Sequence, residues 1–121
     1  MNKLIGNEQN VFFDCDDTLV MRNDNEWCPK PARLKFVEPL TEEVYYLSPH
    51  IKHIQILKEL YERGFTIIVW SAAGPAWAKV VVERLNLTEY VHYHMSKPVK
   101  FFDDLPANEI LGTRVYIKQN G

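Results

Sequence analysis

Val11-Phe12-Phe13 runs directly into Asp14-Cys15-Asp16-Asp17-Thr18, so an apolar strand breaks without a linker into three carboxylates and a hydroxyl. A strand of that composition belongs in a sheet, and its end must lie where charge is solvated or used. Carboxylates crowded this closely repel one another and resist desolvation; a hard cation, or a reaction that needs charged oxygen, is what stabilises them. The strand end is therefore the candidate site, and the rest of the fold has to be built around it.

At 121 residues the chain fits one domain with a single core. Its formal net charge of −2 and the lack of a dense Lys/Arg run give no general reason to seek nucleic acid, leaving only a local patch for such a substrate. No apolar run approaches the roughly 20 residues that span a bilayer, and Met1 to Gly6 does not read as a signal peptide. Two cysteines, Cys15 and Cys28, are too few for a disulfide framework and fit a reducing compartment. The expectation is a cytoplasmic protein with no membrane contact. A nucleophilic Cys15 is disfavoured, because the flanking acids suppress its thiolate.

Residues 20–48 read as a flap with a hairpin, Leu34 to Val37 pairing with Val44 to Leu47 across Glu38-Pro39-Leu40-Thr41-Glu42. Ser48-Pro49 opens a helix with an apolar stripe of Ile51, Ile54, Leu57, Leu60 and Tyr61, ended by Gly64. Phe65 to Trp70 reads as a strand buried on both faces, with Ser71 just past its end. A second helix runs from Pro75 to about Asn86, marked by Trp77, Val81 and Leu85. Strands are expected at Tyr90 to His94, Val99 to Phe102 and Arg114 to Lys118, with one helical turn over Pro106 to Leu111. Strands alternating with helices indicate βαβ units and a mainly parallel sheet, whose ligands bind beyond the strands' carboxyl ends. Asp14, Ser71 and Asp103-Asp104 each follow an apolar strand, and so are expected at one sheet edge.

The order Asp14-x-Asp16-x-Thr18, Ser71, Lys97, Asp103-Asp104 resembles the four motifs of the haloacid dehalogenase superfamily of phosphotransferases, over about residues 10 to 118. The resemblance implies a single catalytic domain over residues 1–121, built as a Rossmann-like three-layer α/β/α sandwich. It would have about five mainly parallel strands and no large cap domain, with residues 20–48 as a hairpin flap insertion. Asp14 matches the nucleophile that forms an aspartyl-phosphate, and Asp16 the general acid/base that protonates the leaving oxygen and then activates water. Thr18 and Ser71, with Ala72 beside it, match the groups that bind the transferring phosphoryl oxygens. Lys97 matches the fixed positive charge, with Lys100 its rival.

The implied cofactor is Mg²⁺, held by Asp14, the Asp16 backbone carbonyl and a motif-four acid. Asp104 is favoured as that ligand, with Asp103 orienting Lys97 or a metal-bound water. Asp17 stands where many family members carry Gly. The expected activity is Mg²⁺-dependent phosphomonoester hydrolysis. Its substrate is a small phosphate ester or the phosphorylated end of a macromolecule, with a nucleotide or polynucleotide preferred by analogy with compact capless phosphatases.

Plainer readings stand beside these. An EF-hand-like loop lacks the glycine its bend requires. Ser71 alone reads as a helix cap, Lys97 as surface charge and Asp103-Asp104 as a turn. His92-x-His94 and the pair His50 and His53 have zinc-like spacing but no cysteine or carboxylate partner, so a structural or surface role is favoured. Trp27, Trp70 and Trp77 read as packing, and Lys30, Arg33 and Lys35 as a solvated face. Two other functions compete: a phospho-acceptor regulatory module, which also pairs acids with a hydroxyl and a Lys, and a catalytically silent scaffold.

Overall fold

The computed structural model describes residues 9–22 and 33–118. Trp27, Cys28, Lys30 and the middle of the expected flap lie outside the described residues. The remainder is a mixed α/β fold with a parallel sheet and a separate antiparallel one.

The parallel sheet has the order β1-β5-β6, formed by β1 (Asn10–Asp14), β5 (Thr66–Ser71) and β6 (Tyr93–Ser96). Asp14 lies beside Trp70, and Ser71 beside Ser96, so all three strands bring their carboxyl ends to one edge. Helix α1 (Ile51–Glu62) links β1 to β5 and α2 (Pro75–Arg84) links β5 to β6. Both crossovers step the same way along the sheet, so right-handed connection puts both helices on one face. Packing agrees: Ile54 and Leu57 of α1 and Val81 and Val82 of α2 share one core with Phe13, Ile67 and Val69.

Each helix ends for a local reason. After α1 the chain turns at Gly64 (φ 90°), where the Gly64 N–H reaches the Tyr61 carbonyl and the Phe65 N–H reaches that of Leu60, both pairs of a Schellman motif. Asn86 (φ 58°) repeats the motif after α2, with Leu87 N–H on the Val82 carbonyl. At the start of α1 the structure corrects the sequence reading. Ser48 and Pro49 finish strand β4, and the N-cap is His50, whose side chain accepts the His53 N–H.

The antiparallel sheet, in the order β2-β4-β3, joins β2 (Val20–Met21), β4 (Val44–Pro49) and β3 (Leu34–Val37). The hairpin pairs Leu34 with Leu47 and Val37 with Val44, within the expected spans. Phe36 is fully buried and its ring stands 6.1 Å from that of Trp77, which ties the flap to α2.

Two further expectations fail. Among the described residues the parallel sheet has three strands, not about five: Val99 to Phe102 and Arg114 to Lys118 form no strand, and Val99 and Phe102 are almost wholly exposed. A parallel neighbour needs a crossover of roughly a dozen residues, and only Lys97-Pro98 separates β6 from Val99. Nor do the described residues show a three-layer sandwich, since both long helices cover one face. The third strand begins at Tyr93, after a 3₁₀ turn over Thr88–Tyr90, and α3 (Ala107–Ile110) supplies the expected single turn. Among the described residues no helix is long and apolar enough to cross a membrane.

Candidate active site

Strand β1 stops at Asp14 because the next carbonyl, of Cys15, turns inward and accepts the N–H groups of Thr18, Leu19 and Val20 at 3.1, 2.9 and 3.1 Å. The chain closes this turn through Asp17 at φ 64°, a left-handed conformation that Asp tolerates better than most residues. Asp17 is thereby a turn residue, and its carboxylate is held by Arg22 at 2.8 Å.

The loop aims Asp14 and Asp16 differently. Thr18 Oγ1 donates to Asp14 Oδ2 at 3.2 Å, while Lys97 Nζ lies 3.2 Å from Oδ1. Lys97 gets there because its backbone N–H donates to the Ser71 carbonyl at 3.0 Å, continuing the β5–β6 ladder past Ser96. Asp16 turns towards α2, where Trp77 Nε1–H donates to its Oδ1 at 3.1 Å. Burial raises the Asp16 carboxyl above the usual carboxylate range, opposed by the indole hydrogen bond and reinforced by the charge of Asp14. One carboxylate is thus paired with a cation while its neighbour is biased towards the protonated form. Cys15 is buried between them, its thiol pushed far up by desolvation and then by Asp14 and Asp16, which makes it inert.

These groups open onto a cleft of about 550 Å³ lined by Asp14, Asp16, Thr18, Lys97 and Trp70 on one part, and by Thr113 to Tyr116 on another. Asp16 and Trp77 also border a second cavity of about 200 Å³ under the hairpin, with Arg22, Glu38 and Tyr45.

Of the residues singled out in the sequence, the structure brings together Asp14, Asp16, Thr18 and Lys97. Ser71 lies at the same sheet edge but is buried, its Oγ accepting the Ala73 N–H at 3.0 Å, and neither it nor the exposed Ala72 lines the cleft. Lys100 is exposed and also outside it. Asp103 and Asp104 sit in the exposed segment after β6, where Asp103 Oδ1 accepts the Leu105 N–H at 3.0 Å, and they line no part of the cleft. Among the described residues no group of three His, Cys, Asp or Glu side chains is arranged to hold a metal. His92 Nδ1 accepts the Ile67 N–H, so that imidazole serves the backbone.

The sequence reading missed Trp77 as a donor to Asp16, and it missed Arg114 and Tyr116 as cleft residues. Helical periodicity places Trp77 in the core, where it is, but cannot tell that the indole N–H reaches a carboxylate. No local signal marks the C-terminal segment, because its position depends on contacts with residues some 60 to 100 positions earlier.

The fold and site define an α/β protein whose parallel sheet presents a carboxylate, a hydroxyl and an ammonium group to one open cleft, a setting suited to a group with anionic oxygens. The model of the NLI interacting factor-like phosphatases matches residues 9–105, and the chain belongs to that family. No curated protein and no solved structure matched it.

Proposed function

We propose that the chain is a Mg²⁺-dependent phosphomonoester hydrolase of the haloacid dehalogenase type, working through an aspartyl-phosphate on Asp14. The observation that carries this reading is the placement of Asp14 between the Thr18 hydroxyl and the Lys97 ammonium, with the raised carboxyl of Asp16 on the same loop. Asp14 attacks phosphorus through a carboxylate oxygen as the ester P–O bond breaks, and Asp16 gives its proton to the leaving oxygen. Asp16 then takes a proton from water, whose oxygen bonds phosphorus as the Asp14–phosphorus bond breaks, returning both carboxyl groups to their starting states. Lys97 supplies the positive charge without which two anions repel, and Thr18 fixes the carboxylate's orientation.

The donor set fits Mg²⁺ in its usual sparse mode, one or two carboxylates completed by phosphate oxygens and water. Asp14 through its carboxylate and Asp16 through its backbone carbonyl are the residues that would hold it; Asp103 and Asp104 stay outside this set. When bound, the ion neutralises phosphate charge. The open cleft, with no cap over it among the described residues, supports a phosphate ester on a small molecule or on the end of a macromolecule, including a nucleotide or polynucleotide.

The test is hydrolysis of p-nitrophenyl phosphate with and without Mg²⁺. Turnover that requires Mg²⁺ and disappears in Asp14→Asn is the expected result, and turnover that survives Asp14→Asn refutes the assigned nucleophile. A long-lived phosphorylated Asp14 without turnover would instead favour the phospho-acceptor module.

A further inference from the structure

His50 and His53 take no part in the proposed chemistry, yet both are buried and their rings stack with centroids 3.7 Å apart and planes at 5°. Their four ring nitrogens all have partners, and the partners dictate the protons. A backbone N–H can only donate, so the His53 N–H at 3.1 Å makes His50 Nδ1 an acceptor. The His50 proton is then on Nε2, donating to the Ile117 carbonyl at 2.6 Å. The Ile117 N–H donates to His53 Nε2 at 2.9 Å, which leaves the His53 proton on Nδ1, donating to the Thr18 carbonyl at 2.8 Å. A second proton on either ring would set one N–H against another. Both rings must therefore be neutral for this arrangement to exist.

The contacts converge on a segment that no ladder secures, since residues 111–118 contain no helix or strand. Ile117 is gripped through both its N–H and its carbonyl. Beside it the Tyr116 hydroxyl donates to the Asp17 carbonyl at 2.8 Å, and the Tyr116 ring stands edge-on to both imidazoles. Lys52 Nζ donates to the Lys118 carbonyl at 3.3 Å. Held in this way, Thr113 to Tyr116 line the cleft that contains Asp14 and Lys97. His53 also grips the carbonyl of Thr18, the residue whose hydroxyl orients Asp14.

We propose that His50 and His53 form a neutral two-histidine latch that fastens residues 113–118 as a wall of the cleft, and that acid opens it. They are positioning residues: neither touches the proposed reacting atoms. The latch itself needs only the backbone contacts above, while its consequence for substrate binding rests on the phosphatase reading.

The groups facing the pair agree with the direction. On α1, Lys52 adds positive charge, and burial followed by the neighbouring His53 lowers the affinity of His50 for a proton. From the segment, Tyr116 keeps its hydroxyl proton, its titration raised by burial and by Asp17, and Arg114 lies 5.8 Å from the Tyr116 ring. From the motif loop, the Asp17 carboxylate is already paired with Arg22. A latch that requires neutral imidazole is held above the ordinary histidine value of 6.5 and lost as pH falls below it. One unit below that value, release should increase roughly 10-fold as the His50 ring takes up a proton on opening.

Amide hydrogen exchange on the full chain without substrate reads this directly and does not depend on hydrolysis. After correction for intrinsic rates, protection of Ile117 should fall roughly 10-fold between pH 7.5 and 5.5, while Ile68 and Val69 in β5 keep theirs. In His53→Phe the Ile117 protection should already be lost at pH 7.5 and should no longer vary with pH. Should that variant not fold, ¹⁵N spectra of the native imidazoles serve instead: at pH 8 His53 should be the Nδ1–H tautomer and His50 the Nε2–H tautomer. Constant Ile117 protection across the range, loss shared equally by β5, or averaged tautomers would each overturn the latch.

Discussion

Replacing Lys97 by Met separates the stability of the Asp14 ion pair from its part in the reaction. At the observed 3.2 Å, two unit charges attract by roughly 1 kcal/mol in water and roughly 5 kcal/mol at an effective dielectric of 20. Both side chains keep contact with solvent, with 40% of Lys97 and 31% of Asp14 exposed. The resting pair therefore belongs with surface salt bridges, worth at most about 1 kcal/mol. For a chain of this size that loss lowers Tm by about 5 °C or less.

Under the proposed function, the situation changes when a phosphate ester fills the cleft. Water leaves, and the ammonium then faces charge spread over the phosphoryl oxygens, where a preorganised donor is worth about 3 to 4 kcal/mol. Lys97→Met should thus reduce kcat/KM by roughly 10² to 10³-fold, with little change in the melting curve. Lys100→Met, altering a residue outside the cleft, should leave both quantities close to native. The assay is steady-state hydrolysis of p-nitrophenyl phosphate alongside thermal denaturation of the same preparations. A Lys97→Met protein within threefold of native activity, or an equal loss in Lys100→Met, would show that the Lys97 ammonium does not stabilise the transferring group.

Two further outcomes follow from the same geometry. Trp77→Phe removes the hydrogen bond that fixes the Asp16 carboxyl but keeps most of the core packing; an acid no longer held in place should slow phenyl phosphate roughly 10-fold and p-nitrophenyl phosphate much less, because the better leaving group needs less protonation. Equal losses on the two esters would show that Trp77 acts through packing alone. Gly64→Ala forces a side chain into φ 90° at the end of α1 and should cost about 1 kcal/mol of stability, measured by denaturant unfolding, with kcat unchanged. An unchanged midpoint would mean that the turn relaxes.

What the sequence disclosed was local. The acidic loop, the hairpin strands and the end of α1 at Gly64 each depend on a few neighbouring residues whose conformational preferences agree, so pattern and structure coincide there. The starts of elements were harder. Ser48-Pro49 has the composition of a helix opening, but pairing with β2 draws both residues into β4 and hands the cap to His50. Val99 to Phe102 has the composition of a strand, yet a two-residue link cannot carry it to a parallel position. Apolar runs report a tendency to be covered; only the connection length decides whether a partner can be reached.

That distinction also explains which half of the site was visible. Asp14, Asp16 and Thr18 are fixed by a turn of five residues, and Lys97 by the register of two adjacent strands. The wall opposite the motif loop in sequence, residues 113–118, is fixed by histidines more than 60 positions away. Its residues have no chemistry of their own that announces a site, and in the sequence His50 and His53 read only as structural or surface residues. Their role emerges only when each ring proton is assigned from its partners, because it is the assignment that makes both rings neutral and binds the far end of the chain to the carbonyl of Thr18. The acidic loop and residues 113–118 are then one mechanical unit. A change that loosens Ile117 should be felt at Asp14 through two hydrogen bonds, those of His53 to Thr18 and of Thr18 to Asp14.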